Sequence, residues 1–138
     1  MEAREFLQQV KKIDLRIKNK LIERQQWRDI ALGITTNMDT ERVQSSGAKD
    51  KMASAVERCV DIEAEIDSLV DNLVDIKNEV VQTIEKLYSP IEYDVLHMRY
   101  IQYKTLQEIA DHYNKDYGWA KVTCKRAVNH VQAILNKK

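Results

Sequence analysis

Helix-breaking residues are scarce in this sequence. It has three glycines and one proline among 138 residues, and segments built without these residues are typically long helices. The sequence therefore predicts an all-α protein. We expect a long antiparallel helical hairpin, coiled-coil-like in its packing, followed by a C-terminal module of three helices.

Long apolar runs are also missing. No run approaches the roughly 20 residues that a membrane-spanning helix requires, and the N-terminus lacks the charged-then-apolar order of a signal peptide. We therefore expect a cytoplasmic protein that does not bind membranes. The two cysteines, Cys59 and Cys124, match no metal-binding spacing, so we predict that both are small buried hydrophobic residues.

The residue clusters that carry catalysis or bind metals are not apparent either. His97, His112 and His130 lie on separate predicted helices without pairing at i, i+3 or i, i+4. No nucleophile–base pair, phosphate-cradling glycine loop or clustered carboxylate site is recognisable. We therefore expect no enzymatic activity, no metal and no cofactor.

A net charge of zero hides an uneven distribution along the chain. Residues 1–49 carry ten Lys/Arg against seven Asp/Glu, residues 50–86 carry four against ten, and residues 87–138 carry eight against five. This pattern argues against a general polyanion binder. It is compatible with one basic face held against nucleic acid while the acidic segment stays away from it.

Residues 1–87 are predicted to form the hairpin and to serve in oligomerisation or partner binding. The first helix is expected over 2–32, a loop over 33–50 and a second helix over 51–87, where apolar residues follow a heptad seam. This seam is closed either by the first helix alone or by a second subunit as well. The predicted interface residues are Ile62, Ile66, Leu69, Leu73, Ile76 and Val80.

Residues 88–138 show three helix starts. Ser89, Pro90 and Glu92 form an N-cap, a first-turn proline and the end of a capping box. A second capping box begins at Thr105, and a tight turn at 114–116 precedes the last helix, in which Asn114 tolerates positive φ and Asp116 is an N-cap. This order predicts a helix-turn-helix, with Ala110 as the small residue at the helix crossing. Trp119 is expected either in the core, which we favour, or against the sugar–phosphate backbone of DNA.

The exposed start of the last helix is where a helix-turn-helix meets the major groove of DNA. Lysine can bind guanine or phosphate, and valine can touch a thymine methyl. Lys104, Thr105 and Arg126 are candidates for flanking contacts. The predicted DNA-binding residues are Tyr117, Gly118, Lys121, Val122, Lys125, Lys104, Thr105 and Arg126.

A family resemblance rests on three segments of this module: 89–100 (SPIEYDVLHMRY), 105–110 (TLQEIA) and 121–128 (KVTCKRAV). In these segments the chain resembles region four of bacterial sigma factors. As a whole it resembles the ArpU and RinA type of late transcription regulators of Gram-positive phages. Gly118 and Val122 stand where region four usually has polar side chains, so its promoter preference is not carried over. Nothing similar to the promoter-melting region two is present.

The resemblance implies a phage or prophage regulator that activates late genes in the bacterial cytoplasm. Its partners would be double-stranded DNA, RNA polymerase and a second copy of the chain, forming a homodimer through the long helices. Two alternatives remain. One is a DNA-packaging protein such as a small terminase subunit, and the other is an RNA polymerase-binding adaptor without affinity for DNA.

Overall fold

The computed structural model describes residues 1–33 and 46–137, of which residues 46–48 are described by their backbone alone. The regular secondary structure of these residues is helical and includes no strand. Its helices are α1 (Ala3–Leu32), α2 (Ser46–Ile84), α3 (Pro90–Leu96), α4 (Leu106–His112) and α5 (Tyr117–Asn136), and a π-helical turn, His97–Ile101, continues α3. The predicted all-α class is confirmed. None of these helices has both the length and the apolar character needed to cross a bilayer.

The start of α2 corrects one predicted boundary. The loop predicted over 33–50 is wrong for residues 46–50, which already belong to α2. Extending a helix that has already formed costs little, because the unfavourable step is nucleation. The rest of that predicted loop, residues 34–45, lies outside the described residues.

The chain divides into two compact units, residues 15–71 and residues 1–14 with 72–138. In the first unit α1 and α2 run antiparallel, because residues later in α1 lie beside residues earlier in α2. Lys20 Nζ lies 2.6 Å from Glu65 Oε2, and Cys59 Sγ lies 3.8 Å from the Arg24 carbonyl. The predicted pairing of the long helices is thereby confirmed in this unit. Its buried apolar residues are Ile17, Ala55, Ile62 and Ile66.

Ion pairs flank that apolar seam. Arg58 reaches Glu23 at 3.2 Å and Glu65 at 3.5 Å. The hydrogen bond from Lys20 lowers the pKa of Glu65, and the hydrogen bond to Glu23 raises the pKa of Arg58. Because these side chains are partly exposed to water, their main effect is on the alignment of the two helices.

The second unit has one hydrophobic core built from distant parts of the sequence. The first two turns of α1 contribute Phe6, Leu7 and Val10, which are at most 4% exposed. Ala3 also belongs to this core, the end of α2 contributes Val80 and Ile84, and the C-terminal helices supply the remaining residues. Those residues are Val95, Leu96, Met98, Ile109, Ala110, Ala120, Cys124, Ala127 and Val131.

The bounds of these units differ from the predicted division at residue 87. Residues 1–14 and 72–87 share a core with the C-terminal helices. Whether residues 1–87 have a separate function from residues 88–138 stays a prediction. The expected burial of the cysteines is confirmed for Cys124, whereas Cys59 is half-buried.

The Ser89 cap departs in part from its predicted form. Ser89 Oγ accepts the Glu92 N–H at 3.3 Å, and Pro90 occupies the first turn, as expected. The capping box itself is wrong, because the buried Glu92 carboxylate lies 2.6 Å from His130 Nδ1 on α5. At this distance the two side chains share a hydrogen bond. This bond ties α3 to α5.

The π-helical turn after α3 was not predicted. The Gln102 N–H donates to the His97 carbonyl at 3.0 Å and the Lys104 N–H to the Met98 carbonyl at 2.9 Å. Tyr103 then takes φ +61, a left-handed conformation that costs a non-glycine residue about 1–2 kcal/mol. Burial, followed by the hydrogen bond to Asp14, raises the pKa of Tyr103 to about 12. These contacts hold the segment just before α4.

A substitution in α1 tests the shared core. Leu7→Ala should lower the free energy of unfolding by about 2–5 kcal/mol, because it removes a buried side chain and leaves a cavity. Leu15→Ala is the control, since Leu15 is 48% exposed and should change stability by about 0.5 kcal/mol or less. Urea unfolding followed by circular dichroism measures both. Equal stability of the two variants would contradict the conclusion that α1 belongs to the core.

The raised pKa of Tyr103 predicts a loss of stability at high pH. Its ordinary pKa is 10.0 and its folded-state pKa is about 12. The contribution of the neutral hydroxyl is therefore complete below pH 10 and is lost as the pH rises through about 12. Between these values the wild type should lose more unfolding free energy than Tyr103→Phe. Tyr88→Phe, at a fully exposed position, should follow the wild type; if Tyr103→Phe did so too, the linkage would be refuted.

Candidate nucleic-acid interface

Helix α4 is fixed at its start by a reciprocal capping box. The Thr105 N–H donates to Glu108 Oε1 at 2.9 Å, and the Glu108 N–H donates to Thr105 Oγ1 at 3.1 Å. The backbone hydrogen bond at Thr105 lowers the pKa of Glu108. This predicted cap is confirmed, and it defines where α4 begins relative to the preceding π-helical turn.

The turn between α4 and α5 is equally well defined. Asn114 has φ +56. Its N–H donates to the Asp111 carbonyl at 3.1 Å, and the Lys115 N–H donates to the Ala110 carbonyl at 2.8 Å. These two bonds form a Schellman motif, which satisfies the last carbonyls of α4. Asp116 then caps α5 by accepting the Trp119 N–H at 2.8 Å, so both predicted turn roles are confirmed.

The inner face of α5 packs into the core through small residues. Ala110 of α4 and Ala120 of α5 are fully buried, which allows the two helices to approach closely. Trp119 packs against the core, and its ring centroid lies 5.3 Å from that of Tyr113. The placement of Ala110 and Trp119 agrees with prediction. The buried residues of α5 are Ala120, Thr123, Cys124, Ala127 and Val131.

The opposite face of α5 is exposed. Tyr117 is 49% exposed and Val122 is 55% exposed, and Gly118, Lys121 and Lys125 are exposed too. Residues 118, 121, 122 and 125 follow i, i+3, i+4, i+7 spacing, so they share one face of the helix. We call Tyr117, Gly118, Lys121, Val122 and Lys125 the reading face.

Lys121 and Lys125 are the cations of the reading face. Neither Lys121 nor Lys125 forms an ion pair with another residue in the described part of the chain. Arg126 is exposed at the edge of this face. Unpaired cations on a rigid helix are available to an anionic ligand without first breaking an internal bond.

The structure places the other predicted contacts elsewhere. Thr105 uses its hydroxyl to cap α4. Lys104 is half-buried, its carbonyl accepts from Arg99 Nη1 at 3.2 Å, and it borders an open groove with Asp94 and His97. The structure therefore brings Tyr117, Gly118, Lys121, Val122 and Lys125 together, whereas Lys104 and Thr105 lie at the start of α4.

The fold does not require glycine at position 118. A Cβ added there would approach Asp116 Oδ1 at 3.6 Å, which is ordinary van der Waals contact, and the backbone does not have positive φ. Glycine within a helix costs roughly 0.5–1 kcal/mol relative to alanine. The fold therefore does not account for glycine at position 118, whereas the close approach of a ligand to the helix would account for it.

The predicted partner-interface residues divide into two groups. Ile62, Ile66 and Val80 are buried by their own chain, whereas Leu69, Leu73 and Ile76 are half-buried. Outside that seam four valines of α2 are 40–60% exposed: Val56, Val60, Val70 and Val74. A role of these helices in dimerisation stays a prediction.

Sequence reasoning missed two features beside α5, and it had no local signal for either. One is the bond between Glu92 and His130, two residues that are 38 positions apart. The other is Arg4, which packing of the N-terminus brings next to α5. Within the described residues, no group of three or more His, Cys, Asp or Glu side chains is arranged to hold a metal ion.

Comparison of the chain with protein-family models, curated proteins and solved structures finds no match. The resemblance to sigma region four therefore stays a prediction that rests on the three segments quoted above.

Proposed function

We propose that this chain is a transcription regulator that binds duplex DNA through the reading face of α5, and that it acts by binding without catalysis. One observation carries the proposal. Helix α5 presents Tyr117, Lys121, Val122 and Lys125 to solvent on one face, while its opposite face is fixed in the core by α4 and its caps.

The chemistry of these side chains suits the major groove. Lysine can donate to guanine O6 and N7 or to phosphate, valine can contact a thymine methyl, and tyrosine can donate to a phosphate oxygen. Helix α5 has 20 residues, about 30 Å of helix, and the major groove is wide enough to admit it. Gly118 leaves the backbone near the helix start open to close approach.

A single module of this kind binds weakly. Most affinity for DNA comes from phosphate contacts, and the reading face holds two lysines with Arg126 at its edge. A second copy of the chain or RNA polymerase would supply the remaining affinity by raising the effective concentration at the site. The proposed setting is a phage or prophage regulator acting in a bacterial cytoplasm, which the resemblance to the ArpU and RinA type of phage regulators would imply.

Removing the two reading-face lysines tests the assignment. Duplexes selected from a random-sequence pool by the wild type should bind Lys121→Ala/Lys125→Ala at least about tenfold more weakly, since a good base contact discriminates by about 1–3 kcal/mol. The matched control is Lys77→Ala/Lys86→Ala, which removes the same charge from exposed positions of the same unit. Fluorescence anisotropy measures binding, and circular dichroism confirms folding.

The two double variants give opposite expectations. Binding by the control at wild-type affinity, together with loss in the reading-face variant, supports the proposal. Equal losses would mean that only overall charge matters. Failure of the wild type to bind any duplex at low salt would contradict DNA binding altogether and favour an adaptor that binds protein.

Gly118 provides an independent test. Gly118→Leu should fold, because the position is exposed and a Cβ there is accommodated, yet it should weaken binding to the selected duplex by about tenfold or more through a steric clash with DNA. Ala133→Leu is the control, since it adds an isobutyl side chain at an exposed position near the other end of α5. Equal affinity of both variants would show that DNA does not contact the start of α5.

A further inference from the structure

A basic groove lies between the first turn of α1 and the middle of α5. Its polar lining consists of Glu2, Arg4, Lys125, Asn129 and Gln132. Arg4 and Lys125 are both exposed, and neither forms an ion pair with another residue in the ranges that the structure describes. Glu2 is the one carboxylate among these groups, so the groove carries a net positive charge.

The N-terminal segment is held firmly beside α5. The Ala3 N–H donates to Gln132 Oε1 at 2.7 Å, and Gln132 Nε2 donates to the Met1 carbonyl at 3.4 Å. Ala3 and Phe6, on either side of Arg4, are 1% and 4% exposed. The backbone of Arg4 is therefore fixed by its neighbours, which limits the entropy lost when its side chain binds a ligand.

The charge of Arg4 is also felt by buried groups next to α5. Burial raises the pKa of the Cys124 thiol and of the Tyr100 hydroxyl, and the charges of Arg99 and Arg4 oppose that rise at both groups. Both guanidinium groups therefore lie within electrostatic range of the same turn of α5.

The groove is continuous with the reading face. Lys125 belongs to both, and residues 121, 125, 129 and 132 follow one line along α5 at i, i+4, i+8 and i+11. At about 1.5 Å per residue this line extends roughly 16 Å. A DNA strand that passes the reading face can continue along this line without leaving the helix.

We propose that the groove binds backbone phosphates of the DNA that flanks the bases contacted by α5, with Arg4, Lys125 and Asn129 as the donors. The proposal rests on the DNA binding proposed above. It assigns the N-terminal segment, which lies outside the helix-turn-helix, a direct part in DNA binding. A guanidinium group binds phosphate oxygens in a fork geometry, and the lysine and the asparagine amide add further donors.

We expect the contacts made by the groove to be independent of the DNA sequence. Phosphate contacts fix the position of a protein on the duplex but do not distinguish base pairs. Loss of Arg4 should therefore weaken the binding of all sequences by a similar factor. The carboxylate of Glu2 has the opposite sign, so Glu2→Gln should tighten binding.

The experiment compares Arg4→Ala with Lys12→Ala in the full chain. Lys12 is exposed on the same helix but does not line the groove. The probe is a duplex of mixed sequence, and its affinity is measured by anisotropy over a series of salt concentrations. Arg4→Ala should bind about three- to tenfold more weakly, and its slope of log K against log salt should be shallower by about 0.9, the value for one phosphate. Lys12→Ala should match the wild type in both.

Further variants separate contact from structure. Arg4→Lys should recover most of the slope, since it restores the charge, and circular dichroism should show unchanged helicity in every variant. In a double-mutant cycle with Lys125→Ala, the Arg4→Ala loss should be less than additive if both side chains bind one phosphate.

The outcomes distinguish this proposal from the one on which it rests. If the wild type binds no duplex, both are overturned. If Lys121→Ala/Lys125→Ala loses binding while Arg4→Ala keeps the wild-type affinity and slope, the groove proposal alone fails. If Arg4→Ala and Lys12→Ala lose affinity equally, general charge explains both losses and the groove is not a phosphate site.

Discussion

The structure of the second unit, residues 1–14 with 72–138, depends on the burial of the first turns of α1. Phe6, Leu7 and Val10 share one core with Ala127 and Val131 of α5, and burying a large apolar side chain stabilises a fold by about 1.5–3 kcal/mol. The short helices α3 and α4 have seven residues each, too few to be stable on their own in water. The orientation of α5 is therefore determined jointly by its helix-turn-helix partners and by a segment from the other end of the chain.

This constraint divides α5 into two faces with different requirements. The inner face contains Ala120 and Ala127, fully buried, where a larger side chain would force α5 away from its neighbours. The outer face is exposed to solvent, so tyrosine, lysine and valine can occupy it without affecting the core. A helix organised in this way can present different residues to a ligand while its position stays fixed. Its caps use the Asp116 carboxylate and the backbone around Asn114, and neither residue belongs to the outer face.

The features that could be predicted from the sequence are those whose hydrogen-bond partners lie three to five residues apart. The Thr105 capping box, the left-handed Asn114 and the Asp116 cap belong to this group, and they locate the reading face. The capping box predicted at Ser89 is wrong because His130, distant in sequence, takes the carboxylate of Glu92. Tyr103 was missed for the same reason, since its strained backbone is held by contacts with Asp14 and with Lys11, whose Nζ lies 5.8 Å from the ring centroid. Residues far apart along the chain leave no periodic signal.

Base contacts and phosphate contacts place different demands on a fold. This difference explains why the proposed reading face is visible in the sequence and the proposed phosphate groove is not. Base edges must be met by several side chains in register, and a single helix face provides that register, which appears as i, i+3, i+4 spacing. A phosphate needs only a cation at the right place, and any segment that the core brings there can supply it. Arg4 stands in such a segment, fixed through Ala3 and Gln132. Its proposed role follows from the packing of α1, so a disturbance of that packing would weaken phosphate binding even with every residue of the reading face intact.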